Sequence, residues 1–464
     1  MGNKQRTIKN SSSLNGRGLH TGKESKITFK PAAQHHGIKF QRTDLDQQPI
    51  IDADVNNVVD TSRGTTLEQN GARVATVEHV LAAVVGLGID NILIEVGGEE
   101  IPIMDGSSKL FLDKLEKSEI EEQNALKEYF EVTEPITFRN EENNVELTIT
   151  PAEEYSISVM IDYKSQVLGS QHASINNINE FKSKIATCRT FCFLHEIETL
   201  YNAGLVRGGD LDNAIVVVDN LLDKDKISHL AKVFDKPDIK VQSTGILNNV
   251  DLRFKNEPAR HKLLDVIGDL ALLGKPIKGN IFAVRPGHAS NIEFAKLLKK
   301  ASQKAKKKAP YYNPSEPPLL NTTQIYEALP HEAPFRLVDK IIHLDDTSVV
   351  GVKNVSINEP QFTGHFPGNP VFPGVLQLET IAQVGGIFVL NTVPDPENYW
   401  TYFMGIDKCK FRKMVSPGDT VVIKCELLQP IKRGIANMKG EAYVGNNIVC
   451  ETEVLASIVR KNKE

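Results

Sequence analysis

The stretch Ala301 to Leu320, ASQKAKKKAPYYNPSEPPLL, limits what the rest of the chain can fold into. It opens with Lys304, Lys306, Lys307 and Lys308 and closes with Pro310, Pro314, Pro317 and Pro318. Like charges repel along the backbone and each proline removes an amide donor, so neither helical nor strand periodicity is present. An extended, solvated spacer is expected, and no single core can run across it. Twenty extended residues would reach at most about 70 Å, at roughly 3.3 to 3.6 Å each. Each flank carries its own complete set of reactive side chains, which predicts two enzymes on one chain. The expected domains are 1–125 and 126–300, then the spacer at 301–320, then 321–464.

The bulk properties fit that division and exclude several classes. At 464 residues, roughly two to four domains are expected. A net charge of -5 argues against a general nucleic-acid surface, which needs a basic excess. The five cysteines, Cys188, Cys192, Cys409, Cys425 and Cys450, form no CxxC pair, which suits a reducing compartment. The longest apolar run, Val80 to Ile89, is too short to span a bilayer. The N-terminal MGNKQRTIKN has no signal-peptide core, and Arg6 stands where a myristoylation motif wants Ser or Thr. A cytoplasmic protein with no membrane span is expected.

In the first half, strand patterns such as Ser25–Phe29, Asn91–Val96, Ser156–Ile161, Ala214–Val218 and Asn280–Val284 alternate with helical ones, predicting two α/β subdomains without a sequence repeat. The stretch Pro258 to Leu273, PARHKLLDVIGDLALL, has a proline near its start and Gly274 and Pro276 at its end, as a helix requires. His261, Asp265 and Asp269 recur every four residues and share one stripe, so a His and an Asp one turn apart can converge on one divalent ion. On this motif alone, a solvated face or a surface ion pair is the favoured reading. A second helical stretch, near Val77 to Val85, places Glu78 beside His79 in apolar surroundings. His79 as third ligand would leave a tetrahedral zinc ion one open position for water, with Glu78 as the neighbouring base. His288, expected in the turn Arg285 to Asn291, can donate to a leaving group.

The motifs KQRTIK, GLHTG at Gly18 to Gly22, ATVEHVLAA at Ala75 to Ala83, GIDNILIEV, EIPIMDGSS, RTFCF, AIVV, RHKLLDVIGDL and GHASN resemble, in order, the UDP-3-O-(3-hydroxyacyl)-N-acetylglucosamine deacetylase family of lipid A synthesis, over residues 3 to 300. The resemblance implies that His79, His261 and Asp265 bind Zn2+, that Glu78 is the base, and that His288 acts as acid or electrostatic stabiliser. It also implies a hydroxyl donor to the amide oxyanion at Thr190, substrate contact at Phe191, a substrate-phosphate contact at Lys262, and tuning of His288 by Asp269. Cys192 stands where the family often has a small residue, which bears on the acyl pocket. The family's acyl-tunnel insert would fall around Tyr201 to Asp219.

Beyond the spacer, a short helix and the phrase LPHEAPFRLVDK precede a strand at Val349 to Val355. GHFPGNPVFPG then forces a constrained turn at His365, and from Val375 the pattern is apolar nearly all round, as in a helix buried on every side. YFMGID, FRKMV, TVVIKCELLQPI, IANMKGEAYV and NIVCETEVLASIV read as strands. Glu379 is the anomaly of the helix: a carboxyl in apolar surroundings should stay protonated and serve as an acid. With His365 as base it suits elimination of water from a hydroxyacyl thioester, the enolate charge meeting backbone donors at Gly374 and Val375.

This half resembles the (3R)-hydroxyacyl-acyl-carrier-protein dehydratases over residues 321 to 462, through GHFPGNPVFPGVLQLE, LPHEAPFRLVDK, VKNVSINEP and FRKMVSPGD. The resemblance implies a hot-dog fold, a long central helix wrapped by an antiparallel sheet, with His365 and Glu379 contributed by opposite subunits of a dimer or trimer of dimers. Glutamate rather than aspartate at 379 points to dehydration without isomerisation. Glu332 replaces a residue that is commonly basic. An acidic acyl carrier protein would dock at Lys408, Lys410, Arg412 and Lys413, with Lys432 and Arg433 next. The rival readings are an amidohydrolase of another acylated sugar joined to a hot-dog thioesterase, or a scaffold in which one half only binds.

Overall fold

The structure, a computed structural model, describes residues 3–196, 213–219, 245–247, 251–305 and 309–461. It divides into two compact units, Met1–Ser302 and Gln303–Glu464.

The first unit contains two larger sheets with one connection pattern. In the first, Ser12–Arg17, Glu24–Pro31, Ile92–Val96, Ile38–Arg42 and Ile50–Asp52 lie side by side in that order; in the second, Ile136–Asn140, Val145–Thr150, Ile277–Val284, Tyr155–Asp162 and Ser170–Ile175 do the same. Each begins with a hairpin, inserts its last strand in the middle, and pairs that strand in parallel with the next. A helix precedes each middle strand, Glu78–Gly86 in one and Glu257–Leu270 in the other. The two halves are therefore duplicates in topology, although no sequence repeat marks them.

Alternation builds these sheets: Ile27 and Phe29, Ile92, Ile94 and Val96, and Ile277, Ile281 and Ala283 turn inward to one core. The two helices are buried almost all round and meet closely at Gly268, where an added Cβ would lie 2.1 Å from the Glu78 carbonyl oxygen. A smaller sheet, Val58–Asp60, Thr66–Gln69 and Ala72–Val74, brings the loop before Thr66 to the same end.

Two expectations change here. His288 is the first residue of a helix, His288–Ala305, because the Ser290 hydroxyl accepts from the Gly287 amide (3.0 Å) and the Asn291 amide donates to the Gly287 carbonyl (2.9 Å). That helix also runs into the expected spacer, since Ala301 continues the inward stripe of Phe294 and Leu298. Of the expected tunnel insert, Ile215–Val217 pairs in parallel with Phe191–Phe193, while 201–212 and the lysines 306–308 lie outside the described residues.

In the second unit, Lys340–Leu344, Ser348–Asn354, Thr420–Leu427, Ile435–Val444, Asn447–Arg460 and Tyr399–Phe411 form one antiparallel sheet in that order. The helix Gly374–Leu390 lies on it, seated by glycines: a Cβ at Gly440 would be 2.2 Å from Ile381 Cγ2, and one at Gly351 2.5 Å from Val384 Cγ2. Asn321 and Gln324 cap the short helix Thr322–Ala328 reciprocally. The expected strand over FRKMV is absent. Tyr399–Phe411 ends at Phe411, and the Phe372 amide donates to the Val415 carbonyl (2.7 Å), tying that segment to the turn before the central helix. Among the described residues, no helix is long and apolar enough to cross a membrane.

Candidate active sites

The helix stripe read from the sequence is buried, not solvated. His261, Asp265 and Asp269 face the first turn of the Glu78–Gly86 helix, and ligand atoms of His79, His261 and Asp265 all lie within 4.8 Å of one another. Asp265 Oδ1 is 3.3 Å from His261 Nε2 and 3.9 Å from His79 Nε2. The two imidazoles stand nearly perpendicular, 5.0 Å apart. His261 Nδ1 sits 3.0 Å from the Cys188 carbonyl, which can only accept, so the proton is on Nδ1 and the Nε2 lone pair faces the cluster. Burial favours neutral imidazoles and pushes His79 down to about 3. Burial works against a charged Asp265, but Lys262, whose Nζ donates to Oδ2 at 2.9 Å, and the surrounding histidines hold it below the usual carboxylate range. Asp265 Oδ1 and His79 Nδ1 are buried without a hydrogen-bond partner. A buried set of two neutral imidazoles and one carboxylate, with an orphaned carboxylate oxygen, fits a zinc ion.

Around this cluster stand two proton-carrying groups. Glu78 accepts from the Thr65 amide (2.9 Å), and burial pushes its carboxyl up to about 7. Gly64 makes room for it, because a Cβ there would lie 2.8 Å from Glu78 Oε1. His288 Nε2 is 3.9 Å from Asp265 Oδ2, and its Nδ1 is 2.9 Å from Asp269 Oδ2. Burial alone would lower His288, but Asp269 overrides it and raises the imidazole to about 9. Asp269 also accepts from the Thr65 hydroxyl (2.6 Å) and from Asn291 Nδ2 (2.8 Å).

Thr190 is fixed through its backbone, donating to the Gly106 carbonyl (2.8 Å) and accepting from the Ile215 amide (2.9 Å). The Phe191 ring lies 5.7 Å from Lys262 Nζ and edge-on to Tyr163 at 5.5 Å. The sequence reading missed Thr65, Asn291, Tyr163 and the buried pair Arg189–Glu257 (3.0 Å). It also passed over Gly268, although a glycine inside a helix, costing about 1 kcal/mol against alanine, is a readable signal.

In the second unit, His365 Nδ1 sits 2.8 Å from the Val371 carbonyl, so Nε2 is the free base position. His365 lines a cleft of about 510 Å3 with Phe372, Gly374, Gln377, Phe411 and Met414. Gly374 opens the central helix at this cleft, its missing Cβ leaving space for the Phe411 ring. Glu379 corrects an expectation. It is partly buried, and burial acts to raise its pKa, but His331 at 3.4 Å and the Gln383 amide at 2.9 Å hold it below the usual range. Both of these partners belong to its own chain. Of the basic cluster, Lys408 pairs with Glu453 (2.8 Å), Arg412 with Glu451, and Lys413 donates to Asn447 (2.8 Å).

Comparison with known proteins finds the family UDP-3-O-acyl N-acetylglycosamine deacetylase (LpxC) over residues 5–230 and 236–300, and a FabA-like domain over 329–453. The chain is 49% identical over 460 residues to the bifunctional enzyme LpxC/FabZ of Bacteroides thetaiotaomicron, covering 99% of this chain and 100% of the relative. It is 46% identical over 461 residues to the protein of the same name from Porphyromonas gingivalis, again covering 99% and 100%. The UDP-3-O-acyl-N-acetylglucosamine deacetylase of Myxococcus xanthus is 40% identical over 295 residues, 63% of this chain and 86% of that one.

Proposed function

The chain belongs to the bifunctional LpxC/FabZ family, an enzyme with deacetylase and dehydratase activities, and on that premise we propose how each half works. The first half hydrolyses the acetamide of UDP-3-O-(3-hydroxyacyl)-N-acetylglucosamine at a zinc centre of His79, His261 and Asp265. The observation that carries this reading is the convergence of those three buried ligand atoms within 4.8 Å beside Glu78 and His288.

When bound there, zinc supplies Lewis acidity that polarises the amide carbonyl and acidifies water. Glu78 takes a proton from the water that attacks the amide carbon. The Thr190 hydroxyl donates to the oxygen on which negative charge develops. His288, its Nδ1 proton held by Asp269, gives the Nε2 proton to the amine nitrogen as the carbon–nitrogen bond breaks. Acetate and a free amine leave; Glu78 then loses its proton to solvent and His288 Nε2 regains one from solvent, which restores both groups. Lys262 is assigned to the substrate phosphate and Phe191 to the acyl wall.

In the second half, a hot-dog fold, His365 Nε2 removes the proton beside the thioester carbonyl of (3R)-hydroxyacyl-acyl-carrier protein, and Glu379 protonates the departing hydroxyl. The enolate oxygen lies at the helix start, Gly374. Glu379 of one copy serves His365 of another, so a dimer or trimer of dimers is the working form. The exposed faces of Trp400, Tyr402, Phe403, Met404 and Ile406 on the outermost strand support that pairing. Burial beneath a second copy would move Glu379 back towards the protonated form. The lysines and arginine at 408–413 face an acidic carrier protein, and five free thiols suit the cytoplasm.

The test measures acetate and enoyl product from the same purified chain. Acetate release should vanish on chelation, return with equimolar zinc, and be absent in His79→Ala, while enoyl formation survives all three and falls on dilution to monomer. No acetate under any metal condition would sink the zinc centre. Undiminished enoyl formation by a proven monomer would sink the shared dehydratase site.

A further inference from the structure

Thr65 is fully buried, lies on no motif the sequence singled out, and spends every polar group on the deacetylase centre. Its amide donates to Glu78 Oε2 at 2.9 Å. Its carbonyl accepts from the Val77 amide at 3.2 Å, just before the helix that carries Glu78 and His79. Its hydroxyl donates to Asp269 Oδ1 at 2.6 Å. The same oxygen is 3.5 Å from His288 Nδ1, too long to compete with the 2.9 Å contact that this nitrogen makes with Asp269 Oδ2.

Asp269 is thus held at both oxygens, by Thr65 at one and by His288 and Asn291 at the other. A carboxylate so held cannot rotate, and it fixes the Nδ1 proton of His288 and the direction in which Nε2 points. One residue therefore spans the two proton carriers, gripping the base through its backbone and the partner of the acid through its side chain. Gly64 permits this close approach, since any Cβ there would strike Glu78.

We propose that Thr65 is a positioning residue that sets the geometry of Glu78 and of the Asp269–His288 pair together. This rests on the reading of Glu78 and His288 as proton carriers. The hydroxyl is the separable part, because substitution leaves the amide in place.

The experiment uses the full-length, zinc-loaded chain as wild type, Thr65→Val, Thr65→Ala, Thr65→Ser, His288→Ala and the Thr65→Ala, His288→Ala pair, with zinc content measured for each. Thr65→Ala puts no apolar group against the carboxylate, so a folding defect in the valine variant does not decide the matter. Loss of the hydroxyl should lower kcat for acetate release about ten- to a hundredfold, the span of one hydrogen bond to a charged group, at unchanged KM. Thr65→Ser should restore most of kcat, and Thr65→Ala should add nothing to His288→Ala. Wild-type kcat in Thr65→Ala, or an undiminished Thr65→Ala effect without His288, would overturn the role of Thr65. Full activity of His288→Ala would instead overturn the reading of His288 on which it stands.

Discussion

Gly268→Ala separates two physical effects of opposite sign. By helix propensity alone, alanine should stabilise this helix by about 1 kcal/mol. The new Cβ, however, would lie 2.1 Å from the Glu78 carbonyl oxygen, 2.7 Å from its carbon and 2.9 Å from its Cα. These are backbone atoms, so no side chain can swing aside. Ordinary contact begins at 3.4 Å, so the two helices must part by roughly 1.3 Å, the difference from 2.1 Å. Gly268 lies three residues after Asp265 and one before Asp269, so the whole His261–Asp265–Asp269 stripe retreats from Glu78 and His79. Zinc–ligand distances tolerate only about 0.2 Å of error, and a misplacement of about 1 Å typically costs a hundredfold in rate, or about 2.7 kcal/mol. Zinc affinity and acetate release should therefore both fall, release by about a hundredfold. Enoyl formation by the same molecules is the internal control and should not change. Wild-type zinc affinity and acetate release in Gly268→Ala would refute the argument that this helix crossing sets the site.

Gly374→Ala places a Cβ 2.9 to 3.1 Å from three carbons of the Phe411 ring, which can swing aside. Enoyl formation should slow by about tenfold, with acetate release untouched; an unaltered rate would separate Gly374 from the site. Glu257→Gln leaves the buried Arg189 guanidinium without its charge partner and should cost the first unit about 3 to 5 kcal/mol in denaturant unfolding. Trp400, the single tryptophan, reports only the second unit and should show no change; a stability loss under 1 kcal/mol, well short of about 3, would contradict the pairing. Asp345, in the turn between Lys340–Leu344 and Ser348–Asn354, has a depressed pKa: burial acts to raise it, but the Thr347 and Ser348 amides and His343 outweigh that. Its contribution is thus present above the ordinary Asp value of about 3.9 and is lost as pH falls through the depressed one. Asp345→Asn should lower the Trp400-detected melting point at neutral pH and converge with wild type in strong acid; a constant difference at every pH would refute that assignment.

What was legible in the sequence followed from periodicity. His261, Asp265 and Asp269 had to share a stripe because a helix repeats every 3.6 residues, and most of the strands singled out from the sequence lie within a residue or two of their observed ends, although many observed strands, Ser12–Arg17 and Ile136–Asn140 among them, were not singled out. The errors came from contacts that periodicity does not encode. Glu379 was read from its apolar neighbours along the helix, yet its charge is governed by His331, which the fold brings back from the phrase LPHEAPF. FRKMV reads as a strand of its own, but the strand ends at Phe411: the Arg412 amide still donates to the Val449 carbonyl (2.7 Å), while the Val415 carbonyl is taken by the Phe372 amide. The spacer's first residues carry lysine, but Ala301 extends an apolar stripe, and burial outweighs composition there.

Periodicity says which residues share a face; it does not say which faces meet. In both units the meeting of faces left one trace in the sequence, a glycine where an element would otherwise carry a side chain. Gly268 allows one helix to touch the backbone of another, and Gly440 and Gly351 allow the central helix of the second unit to sit on its sheet. Gly64 does the same for a loop against a carboxylate, and Thr65 beside it gains its contacts as a result. A threonine is chemically ordinary, so no motif search singles it out. A glycine that is locally unfavourable implies a compensating close contact, and the residues flanking it are where positioning groups should be sought.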